Sequence, residues 1–206
     1  AGIVRRWHHG RFRATTSARA RELLTELMPA LLKALGSTAA PDQALLNFDL
    51  FLANLPAGVQ LFSLFKANPA LLELVAAIMG SAPRLAAHLA RRTLLLDSVL
   101  SPAFYTPLPP AHDLAAELSA LLAQVDNEQD TLDVARRWAN DRRFQVGVQQ
   151  LKQIVRPAQA GEAYSAVAEA TISCLCDRVE QRFAENHGGF RGQRLGVLGL
   201  GKLGSR

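Results

Sequence analysis

Apolar residues recur at helical spacing through nearly the whole chain, and this pattern limits the fold more than any other feature. In residues 17–35, Leu23, Leu27 and Leu31 fall on one helix face. The same three-to-four-residue spacing predicts further helices at 41–54, 57–67, 69–79, 82–91, 93–100, 111–125, 130–155 and 161–186. The sequence therefore predicts an all-α array of helices.

Prolines and small polar residues mark where several of these helices begin and end. Ser17 is a predicted N-cap, because its hydroxyl can accept a hydrogen bond from a free amide of the first turn. Pro41, Pro69 and Pro83 stand at first helical positions, where no backbone donor is needed. Pro29 lies inside the first pattern instead, which predicts a kink or a break near Leu27.

Residues 101–110, "SPAFYTPLPP", contain four prolines in ten positions. No regular element persists at that density, because each proline removes a backbone donor. We expect this segment to divide two helical groups. Three long patterns follow it, and two of their expected buried faces include Leu132 with Trp138 and Val167 with Val179.

The composition excludes several classes of protein. The chain has 206 residues, 20% charged and 49% apolar, which is typical of a folded globular protein with a real core. No apolar run approaches the roughly 18 residues that a membrane span needs, so no membrane partner is expected. Cys174 and Cys176 are two apart and point to different faces of a helix. They are expected to be buried thiols of a reducing compartment.

The net charge of +5 is concentrated at the beginning. Six arginines precede the first acidic residue, Glu22. This excess fits a basic surface strip, and a phosphate- or nucleic-acid-binding arm is the alternative. A transit peptide is disfavoured, because "WHHG" at 7–10 is not targeting composition. The chain does not begin with Met, and we interpret its beginning as a cut from a longer protein. If residues 1–16 are ordered, they are expected to pack on the 17–35 helix.

No catalytic or metal-binding residue emerges from the side-chain types alone. None of the five histidines stands at metal-ligand spacing with another ligand, and no serine lies in a nucleophile elbow. The segment "ARRWANDRRF" at 135–144 is more informative. Arg136 and Arg143 share a helix face, with Arg137 beside them, and guanidinium groups suit phosphate or an acidic partner. Alternatively, Asp133, Asp141 and Glu128 pair with these arginines, and Trp138 belongs to the core.

The pattern changes at 195–206, "LGVLGLGKLGSR". Residues 195–200 could form a buried strand, and Gly199, Gly201 and Gly204 then spell G-x-G-x-x-G. A dinucleotide site also needs a helix, a second strand and an acid about 20 residues on, and the sequence contains none of these. The Walker pattern fails as well, because neither Ser nor Thr follows Lys202.

Four stretches resemble the glutamine synthetase adenylyltransferase family, which also carries an adenylyl-removing half. They are "WHHGRFRATTSARARELL" at 7–24, "LPAGVQLFSLFKANPALLELVAAIMGSAPRLAAHLARR" at 55–92, "ARRWANDRRFQVGVQQL" at 135–151 and "GLGKLGSR" at 199–206. The resemblance covers nearly the whole chain.

The resemblance implies a fragment of an enzyme that moves AMP from ATP onto a tyrosine of glutamine synthetase and removes it by phosphorolysis. It assigns 1–36 to the end of the adenylyl-removing half, 37–100 to a helical linking region, 101–110 to a boundary, 111–190 to a helical lead-in bundle and 191–206 to the start of a DNA polymerase β-like nucleotidyltransferase core, with its first strand. The linking region would suit relaying a signal between the halves.

In that family the last loop lies under the nucleotide phosphates, which implies that Gly201, Lys202, Gly204 and Ser205 bind phosphate. Mg²⁺ ligands lie further along in relatives, so this chain alone is expected to bind neither ATP nor metal and to transfer nothing. The implied partners are glutamine synthetase and a PII-type signalling protein in the cytoplasm, without nucleic acid. The rival hypothesis is a helical docking module whose basic face near Arg136 and Arg143 binds an acidic protein without chemistry.

Overall fold

The computed structural model describes residues 2–8, 12–189, 196–197 and 199, and over these residues it is all-α, as predicted. Its ten α-helices in the described ranges are α1 (Gly2–His8), α2 (Ala18–Gly36), α3 (Pro41–Asn54), α4 (Val59–Ala67), α5 (Pro69–Ser81), α6 (Pro83–Arg91), α7 (Leu95–Val99), α8 (Ala111–Leu122), α9 (Glu128–Leu151) and α10 (Pro157–His187). Short 3₁₀ turns occur at Arg13–Thr15 and Pro102–Tyr105. The strand predicted over 195–200 lies largely outside the described residues and stays a prediction.

The helix boundaries follow the local signals closely at several ends. Ser17 caps α2, because its Oγ accepts a hydrogen bond from the amide of Ala20 at 3.1 Å. The predicted break near Leu27 is wrong, since α2 runs through Pro29 as one helix, and the kink given as the alternative stays a prediction. Pro29 and Thr25 are both exposed, so the carbonyl that loses its partner lies on the water side of the helix.

Several other helix ends differ from their predicted positions by two to four residues; α8 ends at Leu122, α9 ends at Leu151 and α10 begins at Pro157. Helix α5 continues past Gly80 to Ser81. Helix α9 begins earlier than expected, because Asn127 rather than Asp130 or Thr131 is its N-cap. The Oδ1 atom of Asn127 accepts a hydrogen bond from the amide of Asp130 at 2.8 Å. Side-chain caps compete at such ends, and only the folded backbone shows which one is used.

The chain divides into two compact units, residues 1–104 and 105–206, at a point inside the proline-rich segment. The assignment of segments to parts of a family stays a prediction. No single helix in the described ranges is long and apolar enough to cross a membrane. The pair α4 and α5 passes that test together, but it is bent by 110° and most of its large apolar side chains are buried.

The first unit is built around aromatic side chains. Phe48 and Phe51 of α3 and Phe62 and Phe65 of α4 are almost fully buried, and α3 packs extensively on α5. Asn47 joins these two helices directly, since its Nδ2 donates to the carbonyl of Met79 at 2.7 Å. Burying several phenyl rings removes a large apolar area from water and stabilises the unit.

The described part of the N-terminal segment is anchored mainly on α3. Trp7 is fully buried, its ring stands edge-on to Phe48 with centroids 5.6 Å apart, and its Nε1 donates to Asp49 Oδ1 at 2.7 Å. Arg6 donates to the other oxygen of the same carboxylate at 3.1 Å. The expected contact with the 17–35 helix is made by the Arg13–Thr15 turn, which touches both α2 and α3.

Glycine allows two close approaches in this unit. A Cβ on Gly58 would overlap the carbonyl oxygen of Ala14 and the ring of Phe62. A Cβ on Gly80 would lie 2.5 Å from the side chain of Thr38. The tight turn before α4 therefore lies directly against the Arg13–Thr15 turn only because residue 58 has no side chain.

The second unit packs three helices about one core. The buried residues of that core are Leu114, Leu118 and Leu122 from α8, Ala135, Trp138 and Ala139 from α9, and Val167, Ala170 and Cys174 from α10. A smaller cluster of Val146, Val155 and Ala160 lies at the other end of α9. The Nε2 atom of Gln149 donates to the carbonyl of Thr106 at 2.8 Å and holds the entry to the unit against α9.

We predict that Gly58→Ala lowers the free energy of unfolding of the first unit by about 1–3 kcal/mol, because the new methyl group must displace backbone and a buried ring. Urea denaturation followed by far-UV circular dichroism measures this loss. Gly36→Ala is the matched control, since open space surrounds that position in the same unit. Equal stability of the two variants would contradict the close approach.

Candidate functional site

The phosphate-binding residues predicted from the sequence lie outside the described residues. Gly201, Lys202, Gly204 and Ser205 belong to this group, and their role stays a prediction. The arginines of α9 lie within the described residues, and they define the candidate site there.

Arg136 and Arg143 line one groove between α9 and α10, with Asn140 between them. Its volume is about 350 Å³. Helical spacing of seven residues places both guanidinium groups on this side, as expected. Arg137 does not line the groove, and its Nε donates instead to the backbone carbonyl of Asp133 at 3.1 Å.

The pairing expected as the alternative is present between Arg136 and Asp133. Arg136 Nη2 donates to Asp133 Oδ1 at 2.5 Å, and the side chain of Arg136 is 71% exposed. Arg143 Nη1 donates to Asn140 Oδ1 at 3.5 Å, which is the outer limit of a hydrogen bond. An exposed ion pair contributes about 1 kcal/mol or less, so these arginines remain available to a ligand.

Trp138 is part of the core, as the alternative predicted. Its indole Nε1 donates to Glu117 Oε1 at 2.9 Å. Arg142 Nη2 donates to the same carboxylate oxygen, and Arg142 Nη1 donates to Gln145 Oε1 at 2.9 Å. Sequence reasoning missed this network because Glu117 and Arg142 are 25 residues apart and belong to different helices.

A second groove continues the first along the same pair of helices, and Leu132 and Leu175 line both. Its volume is about 320 Å³, and its apolar wall includes Val179 and Phe183. Leu132, Val179 and Phe183 are 47%, 57% and 42% exposed. The prediction that Leu132 and Val179 belong to buried faces is therefore wrong. The spacing of four from Leu175 through Val179 to Phe183 was the sequence signal for this second stripe.

Two arginines of α10 close the end of this groove. Arg178 Nη2 donates to the carbonyl of Val125 at 2.7 Å, and Arg182 Nη2 donates to the carbonyl of Asp126. These bonds hold the loop between α8 and α9 against α10. The acceptors are neutral carbonyl groups, so the positive charge of both arginines stays on the groove rim.

The two cysteines do not form a reactive pair. Cys174 is buried and its Sγ donates to the carbonyl of Ala115 at 3.3 Å. Burial raises the pKa of the Cys174 thiol, with the charge of Asp177 adding to the effect. Cys176 is only half-buried, so the expectation of two buried thiols holds for Cys174 alone. Over the described ranges, no three side chains of His, Cys, Asp or Glu form a group that could hold a metal ion.

Comparisons with known proteins give a consistent result. The profile of the glutamate–ammonia ligase adenylyltransferase family matches residues 72–206. Bifunctional glutamine synthetase adenylyltransferase/adenylyl-removing enzymes of Mesorhizobium japonicum and Brucella melitensis are 50% and 43% identical to the chain over 204 residues. These matches cover 99% of the chain and 21% of each relative. The homologous enzyme of Agrobacterium fabrum is 44% identical over 98% of the chain. The chain thus spans about a fifth of the length of the curated relatives it matches.

We predict that Glu117→Ala lowers the free energy of unfolding of the second unit by about 1–3 kcal/mol, because the buried indole N–H of Trp138 loses its acceptor. Glu117→Gln keeps an acceptor oxygen and is expected to cost less. Urea denaturation followed by tryptophan fluorescence measures both. Glu162→Ala, an exposed position on α10, is the control and should change stability by less than about 0.5 kcal/mol.

Both tyrosines of the chain should ionise above their ordinary pKa of about 10 in the folded protein. Burial raises the pKa of Tyr105, and burial raises that of Tyr164 more than the Arg143 charge lowers it. The folded state therefore holds these protons more tightly, so their stabilising contribution is full below pH 10 and is lost as the pH rises above it. Absorbance at 295 nm during alkaline titration, with the urea-unfolded chain as reference, measures the difference. Coincident curves would contradict the prediction.

Proposed function

Because the chain belongs to the glutamate–ammonia ligase adenylyltransferase family, we propose that it is a helical part of an enzyme that modifies glutamine synthetase. The complete protein transfers AMP from ATP to a tyrosine hydroxyl of glutamine synthetase, and its other half removes AMP by phosphorolysis. The observation that carries this proposal is 50% identity across 99% of the chain to a relative named for both activities.

The C-terminal loop is the part of this chain that we assign to the transferase site. Gly201 and Gly204 would let the backbone approach the phosphates of ATP, while Lys202 and Ser205 would add a charge and a hydroxyl donor. The described residues offer no group of Mg²⁺ ligands, so the ions would be held by other parts of the complete protein. Bound Mg²⁺ supplies charge compensation on the phosphates.

The helices of the first unit would connect the two catalytic halves. Residues 37–100 are the linking region in this proposal. A PII-type signalling protein would determine which catalytic half is active, so that nitrogen assimilation follows the nitrogen supply. A relay of this kind requires a coupling free energy between the regulator site and each half. The tight contacts around Trp7 and Gly58 would carry such a change as a movement of whole helices rather than of a loose linker.

The rival function is a docking module without chemistry. The arginines of α9 support it, because they line a groove and do not form part of a nucleophile–base pair there. The two functions differ in what the complete protein does with ATP. A docking module transfers no label from ATP. An adenylyltransferase transfers label to glutamine synthetase, its proposed partner in the cytoplasm.

We predict that the complete protein transfers radioactive AMP from α-labelled ATP to glutamine synthetase, whereas the 206-residue chain alone does not. In the complete protein, Gly204→Val should lower kcat/KM for transfer by about a hundredfold, because a side chain there displaces the phosphates. Removal of AMP by inorganic phosphate should stay within twofold. Label incorporation and ADP release measure the two reactions.

Gly161→Ala is the matched control for this experiment, since its Cβ would meet nothing within 4 Å on α10. Its transfer rate should equal that of the unchanged protein. Transfer by the 206-residue chain alone would refute the assignment of catalysis to the complete protein. Equal loss of both reactions in Gly204→Val would contradict the assignment of the loop to the transferase site.

A further inference from the structure

The last part of α10 extends past the core of its own unit. Cys174 is the last buried residue of this helix, and none of the thirteen residues from 175 to 187 is buried. Thirteen residues of helix span about 20 Å. Nevertheless this stretch carries Leu175, Val179 and Phe183 on one face, four residues apart. An apolar stripe on an exposed helix end is typical of a surface that another element covers.

Helix α9 supplies the opposite wall of this surface. Leu132 of α9 and Leu175 of α10 line both grooves, which makes them one continuous surface, here named the α9–α10 groove. Along α10 it runs from Thr171 to His187, a length of about 24 Å. A helix of about four turns has this length, and an apolar floor between two helices is the usual receptor for one.

The charged residues that line the α9–α10 groove indicate which kind of helix it would bind. Arg136, Arg143, Arg178 and Arg182 line the α9–α10 groove, against two acidic residues, Glu128 and Asp133. One of these acids already pairs with Arg136. The acidic residues of the end of α10 do not line it; they are Asp177, Glu180 and Glu185. The groove therefore has an excess of positive charge beside its apolar floor.

The same charges argue against two other occupants. The stretch 190–206 that follows α10 contains Arg191, Arg194, Lys202 and Arg206 and no acidic residue. A second copy of the groove would bring one set of arginines against another. Like charges brought together oppose both arrangements.

We propose that the α9–α10 groove binds an acidic amphipathic helix of a protein partner. Apolar side chains of that helix, at spacings of three and four residues, contact Leu132, Val179 and Phe183. Its glutamates or aspartates flank this stripe and pair with Arg143 and Arg136. The pairs on the rim fix the direction and the choice of partner, whereas the apolar contacts supply most of the affinity.

Fluorescence polarisation with two labelled 16-residue helical peptides tests the proposal on the 206-residue chain. Both peptides carry the same leucine stripe, and one is flanked by glutamate and the other by lysine. The glutamate peptide should bind saturably, and the Kd of the lysine peptide should be higher by about tenfold or more. The combined variant Arg136→Glu and Arg143→Glu should reverse this preference, and Val179→Ser should weaken both peptides.

Two exposed substitutions outside the groove serve as controls. Arg137→Glu changes the charge of the same helix, and Leu50→Ser removes an exposed leucine of α3. Neither should alter binding by more than twofold, and circular dichroism should show an unchanged helix content for every variant. Equal binding of the two peptides, or control variants that weaken binding as much as groove variants, would overturn the proposal. Self-association of the chain that Val179→Ser abolishes would assign the groove to a second copy and overturn it as well.

Discussion

The mismatch between the length of α10 and the core it packs against shapes the second unit. Helix α10 has 31 residues, and its neighbours α8 and α9 have 12 and 24. In the three-helix core Cys174 is the last buried residue of α10, and Leu175 packs partly buried against it. The remaining turns contact the α8–α9 loop through Arg178 and Arg182, and they leave an apolar stripe on the surface. The candidate binding groove exists because one helix continues where its core ends.

Hydrogen bonds between polar groups at the helix contacts fix how the helices of each unit pack, in addition to the apolar contacts. In the first unit the carboxylate of Asp49 receives hydrogen bonds from both Arg6 and Trp7, which holds a short N-terminal helix on α3. In the second, Glu117 receives bonds from Trp138 and Arg142 and joins α8 to α9. Each indole buries a large ring and satisfies its one donor at the same time. A carboxylate that serves two donors fixes the register of the two helices it joins.

The candidate site could be predicted from the sequence only in part. The spacing of Arg136 and Arg143 places them on one face, and the structure has both along one groove. Leu132 and Val179 were assigned to buried faces, because an apolar residue at helical spacing normally faces a core. Whether a core lies opposite a given turn of a helix depends on the lengths of the neighbouring helices and on where they cross. A local sequence pattern does not contain this information. Arg142 escaped notice for a similar reason, since its partner lies on α8.

The sequence by itself determined the helical class, most helix boundaries and the family. Periodicity, Ser17 as a cap and prolines at first helical positions act over three or four residues, and such local signals are readable without a fold. Tertiary structure alone decided that α2 passes Pro29 unbroken, that Gly58 lies against Ala14 and that none of residues 175–187 of α10 is buried. These features depend on what lies opposite each residue in space. A residue's neighbours in space come from helices far away in the chain, and packing selects them only when the chain is folded.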